Sequence, residues 1–293
     1  MSFDDAYQAL TDHDDDARWA YGTGFADPLA GVATALPDGV DRGDLAAYYL
    51  MLGDDALVLS HRLQQWITRS PEIEDELAIA NIGLDLLGQA RLLLTRAGEA
   101  EGAGRDEDQL AYLREAGEFR NVWLAERADA DFAELVARLL IFSTWRLALF
   151  DRLATTGDPV LAAIAAKGVK EVSYHREYAA GWVVRLGDGT ELSHARMQAA
   201  VDAVLPLAEE LFATHPVERR LAELDVAVDP SVLRDEFDAV IAEVLRVATL
   251  DRPASPVSSA SSAQGRDGVH GDELTEILAE LQGLARATPG GVW

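Results

Sequence analysis

The chain has 293 residues, 49% of them hydrophobic, and carries 51 acidic against 25 basic side chains, for a formal charge of −26 and a pI near 4.4. So acidic a chain excludes nucleic-acid binding and adhesion to anionic membranes, both of which need a basic face. The absence of cysteine excludes disulfides, thiolate metal sites and cysteine nucleophiles.

Residues 1–42 are rich in Asp, Gly, Ala and Pro with weak periodicity, and are expected to form an N-terminal extension. No basic, apolar leader is visible there, so a cytoplasmic location is expected. A bundle is expected over 43–250. Its first helix begins at Asp44, with Tyr49, Leu52, Ala56, Leu59, Leu63 and Trp66 at spacings of three and four. The second, from Ile73 to about Ala100, is apolar nearly all round, through Leu77, Ile79, Ile82, Leu84, Leu86 and Leu87, which predicts cover on every side. A shorter helical piece over about 106–128 crosses to a third long helix, Phe132 to about Ala154. The stretch Leu135 to Leu153 is the most apolar in the chain, but Arg138, Arg146 and Arg152 interrupt it, so it reads as a core helix and not a membrane span.

Gly157-Asp158-Pro159 separates it from the fourth long helix, Val160 to about Leu186. Ser193 is the expected cap of a further helix to about Phe212, and Asp229-Pro230 starts one that reaches about Ala248. Pro, Ser, Ala and Gly over 251–270 read as a linker, and the last segment, 271–293, as a helix packed on the bundle. No stretch alternates like a strand. The expected fold is all-α, a ferritin-like four-helix bundle with additional C-terminal helices.

Only two of the basic residues are lysine, and both lie in the run Lys167-Gly-Val-Lys170-Glu171-Val-Ser-Tyr174-His175. Lysine scarcity with high acidity is the composition expected of a halophile, where molar salt shortens the Debye length to about 3 Å. The run sits where a di-iron carboxylate bundle keeps its ligands. Such a bundle needs a Glu from each of two helices and a Glu-x-x-His from each of the other two. Here the second helix offers Asp85-Leu-Leu-Gly88 and the fourth Glu171-Val-Ser-Tyr174, with His175 one place too far, about 100° round the helix. The third has no carboxylate between Glu134 and Asp151, and only the first keeps acids, Asp54 and Asp55. The pattern is a vestigial site, Asp54, Asp85, Glu171 and His175, with no metal expected.

Asn81, Asp85 and Gln89 still form a polar stripe in an apolar helix, and buried carboxylates must be paired or neutralised. Lys167 or Lys170 is expected to supply the missing positive charge to Asp85 and Glu171. The alternative is that both lysines are surface residues and Glu171 only pairs with Lys167 across one turn. His175 and His61 read as hydrogen-bonded core or interface residues. Glu191-Leu-Ser-His194 has the ligand spacing but straddles the turn before Ser193, so its ends are not expected to share a face. Gly181-Trp182 reads as a buried helix contact, with a partner surface as the alternative.

The runs Gly53-Asp-Asp-Ala-Leu-Val-Leu-Ser60 and Ala78-Ile-Ala-Asn81-Ile-Gly-Leu-Asp85-Leu-Leu-Gly88-Gln-Ala-Arg91 resemble the C-subunit family of the phenylacetyl-CoA epoxidases. The likeness continues through Lys167 to His175, Leu186-Gly-Asp-Gly-Thr190, Gly265 to His270 and the ending Pro289-Gly-Gly-Val-Trp293, and covers the chain from about Leu45. The resemblance implies a non-catalytic structural subunit in aerobic phenylacetate breakdown. It pairs with a di-iron A subunit that epoxidises the ring, in a hetero-oligomer, with a homodimer also open. It implies no cofactor on this chain, the iron lying in the partner and FAD, iron–sulfur and NADPH in a reductase. It also places Glu118, Phe119, Arg120 and Asn121, and the segment Arg219, Arg220 and Leu221, near the CoA portion of the acyl-CoA. The departures from family residues in those segments leave ordinary surface loops as the alternative. Two other functions stay open, a di-iron or mono-metal oxygenase acting by itself and a free-standing helical protein with another ligand.

Overall fold

The computed structural model describes residues 29–253, 265–289 and Gly291, and among these every regular element is helical. Four long helices carry the core: α1 (Arg42–Gln64), α2 (Ile73–Glu101), α5 (Phe132–Leu153) and α6 (Pro159–Gly187). Between α2 and α5 run two short helices, α3 (Glu107–Tyr112) and α4 (Trp123–Glu126). After α6 come α7 (Glu191–Val204), extended by a 3₁₀ segment Leu205–Phe212, then α8 (Pro216–Ala222), α9 (Arg234–Val247) and α10 (Asp272–Ala287). The chain is all-α, consistent with the ferritin-like bundle expected from its sequence.

Local chemistry sets the ends. Asp41, Asp131 and Asp158 cap α1, α5 and α6 by accepting backbone N–H bonds of the first turn, and Pro159 fills the first helical position of α6. Gly102 closes α2 in the left-handed region at φ 70°, where a Cβ would be strained. The cap of α7 is Thr190 and not Ser193, whose N–H is the one Thr190 accepts. Glu191 and His194 therefore share the first turn of one helix, contrary to expectation, but His194 Nδ1 is bonded to the Gly187 carbonyl at 2.6 Å. The short helix α8 has no clear periodic signal of its own.

Packing runs chiefly in two pairs, α1 on α2 and α5 on α6, with α2 and α6 joining the pairs. Leu57, Ile79, Leu86 and Leu93 fill the first pair, and Leu139, Phe142, Leu161 and Ile164 the second. The inner face of α2 is buried, but its outer face is not: Ile73, Leu77, Leu84 and Leu87 are exposed, so among the described residues the cover predicted on every side is missing on one. By length and a mean hydropathy of 1.4, α2 is the one described helix that could cross a membrane, and half of that stretch is packed inside the molecule.

Residues 1–28 of the expected N-terminal extension lie outside the described residues. The rest of it wraps the bundle, with Leu29, Val32, Leu36 and Val40 against the core and the Arg96 guanidinium donating to the carbonyls of Thr34 and Ala35. Within the expected linker, 254–264 lie outside the described residues. Residues 265–270 are no free tether, for Arg266 is fully embedded between α1 and the segment before α4.

Candidate functional site

The interior charge of the bundle is built from arginine. On α5 the sequence places Phe142, Arg146 and Phe150 four residues apart, hence on one face. That face looks into the bundle, and Arg146 is fully buried between the two rings, its guanidinium carbon 5.6 Å and 4.4 Å from their centroids. Its Nε donates to Gln89 Oε1 at 2.9 Å, and its Nη atoms reach the Leu52 carbonyl at 3.3 Å. Gln89 passes the contact on, its Nε2 donating to Glu171 Oε2 at 2.9 Å, and Glu171 Oε1 meets Lys167 Nζ at 2.8 Å. Side chains from α2, α5 and α6 and one carbonyl of α1 thus close a polar chain through the middle. Gly168 permits it, since a Cβ there would stand 2.5 Å from the Phe150 ring that floors Arg146. Burial pulls the Arg146 guanidinium down to about 10, with Asp55 and Glu171 opposing the fall, so it is a cation at neutral pH.

The two aspartates of α1 are also neutralised by arginine. Asp54 takes both Nη atoms of Arg114 at 2.9 and 2.5 Å and the Arg120 N–H at 2.9 Å. Asp55 takes both Nη atoms of Arg266 at 2.9 and 2.8 Å and the Val122 N–H at 2.9 Å. Bidentate pairing with added backbone donors is what a buried carboxylate needs. Beside them His270 bonds Glu126 Oε2 at 2.7 Å and the Phe119 carbonyl at 3.0 Å. Both partners accept, so both ring nitrogens carry protons. Burial works against this charge, but Glu126 and the Phe119 carbonyl outweigh it and leave the imidazole raised above its ordinary value.

The vestigial residues do not converge. Asp54 belongs to the Arg114 pair. Asp85, half exposed, pairs with buried His175 at 3.0 Å along the α2–α6 seam. Glu171 belongs to the Gln89–Arg146 chain. Among the described residues no group of three His, Asp or Glu side chains could hold a metal ion. The lysines differ from expectation too. Lys170 is exposed, and Lys167, 37% exposed, meets Glu171 across one turn and does not touch Asp85. The cation buried in the Gln89–Glu171 chain of bonds is Arg146, which in the sequence only interrupts an apolar helix. An arginine at a core-facing position of that helix was the available signal.

Of the segments expected near CoA, Phe119 and Asn121 are buried, Phe119 under the Arg114 guanidinium at 4.1 Å and Asn121 donating to Glu126. Glu118 caps a 3₁₀ turn, and the Arg120 guanidinium donates to the carbonyls of Gly117 and Phe119. Leu221 is core, Arg220 grips Asp44 with two bonds of 2.6 and 2.7 Å at the surface, and Arg219 is exposed. His61 lies 3.8 Å from Glu280 of α10.

The sequence family described as "Phenylacetic acid catabolic protein" matches residues 33–293. The chain is 44% identical over 249 residues to the C subunit of the 1,2-phenylacetyl-CoA epoxidase of Escherichia coli (strain K12), a match covering 85% of this chain and 99% of that protein.

Proposed function

This chain belongs to the phenylacetic acid catabolic protein family, and from that premise we propose that it is the non-catalytic structural subunit of a phenylacetyl-CoA epoxidase, paired with a di-iron A-type subunit. The observation that carries the reading is Arg146. A di-iron bundle gathers four carboxylates and two imidazoles about two cations. Here the residues do not fit that group, because the third helix contributes a guanidinium, the α1 aspartates are consumed by Arg114 and Arg266, and the seam histidine is bonded to Asp85. A fixed buried cation repels a metal at short range and satisfies the interior polar atoms without one.

In this reading the ring chemistry, the iron and the electrons from a flavin, iron–sulfur and NADPH reductase belong to other subunits. The acyl-CoA contact is carried as part of the same proposal, with exposed Arg219 as the residue free to meet a phosphate. Co-expression with the A-type subunit, followed by sizing and iron analysis of the separated chains, tests it. A stable complex with iron confined to the A-type subunit is expected. Near-stoichiometric iron on the isolated chain, with turnover, would return the chain to the oxygenases acting by themselves.

A further inference from the structure

Among the described residues nothing covers the outer face shared by α2 and α6. On α2, Leu77, Leu84 and Leu87 are 61%, 58% and 43% exposed, and on α6 Tyr174 is 52% exposed. The helices are antiparallel, tied by Asp85 to His175 and Gln89 to Glu171. That register sets Gly181 within one turn of the level of Leu77, Tyr174 of Leu84 and Lys170 of Gly88. A Cβ at Gly88 or at Gly181 would meet no atom within 4 Å. Glycine is unfavourable inside a helix. At Gly53, Gly98 and Gly168 the chain itself fills the space gained, but at Gly88 and Gly181 none of the described residues does. The face is therefore a row of apolar projections with two notches, and exposed apolar patches of this kind mark interaction sites.

We propose that this α2–α6 face is the subunit interface, and that its occupant is a helix pair of the A-type subunit and not a second copy of this chain; the inference rests on the functional reading above. Area is the first argument. Two 29-residue helices side by side offer a face about 40 Å by 20 Å, close to the ~800 Å² per partner of a standard stable interface. Charge is the second. A second copy would bring a further −26 against this one, whereas exposed Lys170 of α6, near the level of Gly88, offers a positive charge to a carboxylate of a different chain. Lysine, a compact charge on a flexible stem, suits such a rim. Shape is the third: ridges of a partner helix seat in grooves, and Gly88 and Gly181 deepen them.

The test uses the full chain co-expressed with the A-type subunit. Leu84→Glu with Tyr174→Glu is expected to weaken association by about a hundredfold or more, with the circular dichroism and Tm of the isolated chain unchanged. Gly88→Leu is expected to raise the Tm of the isolated chain while weakening the complex by about tenfold or more. An internal packing role cannot move the two readouts in opposite directions. Co-elution of both variants as tightly as the native chain overturns the proposal. Failure of the native chain to bind the A-type subunit sinks the functional reading itself. A native homodimer that Leu84→Glu with Tyr174→Glu converts to monomer assigns the face to a second copy and overturns the occupant named here.

Discussion

At Arg146 burial and pairing compete, and the direction of the balance can be measured. Removing one member of a buried charged network strands the others, which costs about 3–5 kcal/mol. Arg146→Ala should therefore lower the urea-unfolding free energy by about that amount, leaving the Gln89 Oε1 and the Leu52 carbonyl without their buried donor. By contrast Lys167→Ala with Lys170→Ala should cost under about 1 kcal/mol, because one lysine is exposed and the other pairs with Glu171 near solvent. A larger loss from the lysines than from Arg146 would reverse the assignment of the interior cation. Glu218 and His270 act in one direction, against His61, whose imidazole is pulled below its ordinary value by burial. Burial pushes Glu218 from 4.5 up to about 7, against Arg266 and the His215 N–H, so the folded chain holds a proton the unfolded chain releases. Its contribution is lost as pH rises from 4.5 to about 7. The raised His270 adds stability that is complete below 6.5 and lost as pH rises through its folded value. Stability should fall on going from about pH 5 to pH 8, and Glu218→Gln should flatten the lower part of that curve in chemical denaturation.

Among elements, the α5–α6 pair depends on close approach at one glycine. A Cβ on Gly168 would come within 2.5 Å of the Phe150 ring, which cannot retreat without tilting off Arg146. Gly168→Ala should destabilise by about 1–3 kcal/mol although alanine is the better helix former, as overpacked cores do. Gly88→Ala on the open side of α2 should do the opposite, raising the isolated chain's Tm. The cap of α7 offers a smaller effect, with Thr190→Ala costing about 1 kcal/mol and Ser193→Ala much less, since only Thr190 accepts the first-turn N–H. Turn chemistry misplaces the start of this helix by one turn because serine and threonine are both good caps and stand three residues apart.

For the whole molecule the charge of −26 matters more than any single pair. Exposed like charges repel and are screened within about 8 Å at physiological ionic strength and about 3 Å at molar salt. We expect the Tm to rise from about 0.1 to about 2 M potassium chloride. Arg114–Asp54 and Arg266–Asp55 are buried out of reach of salt, so a double-mutant cycle on either pair should return the same coupling energy at both concentrations.

The residue order determined the helices, the all-α class and the family, because caps, prolines and the 3.6-residue period act between neighbours along the chain. It also showed that Asp85-x-x-Gly88 and Glu171-x-x-Tyr174 are poor metal ligands. Only the tertiary structure decided which cation stands inside, since Arg146 meets Gln89 across 57 positions and Arg266 meets Asp55 across 211. Partners that distant are chosen by packing, and helical periodicity assigns a face but not the side chain opposite. The bare outer side of α2 was hidden for the same reason: an apolar surface reads alike whether its own chain covers it or another does.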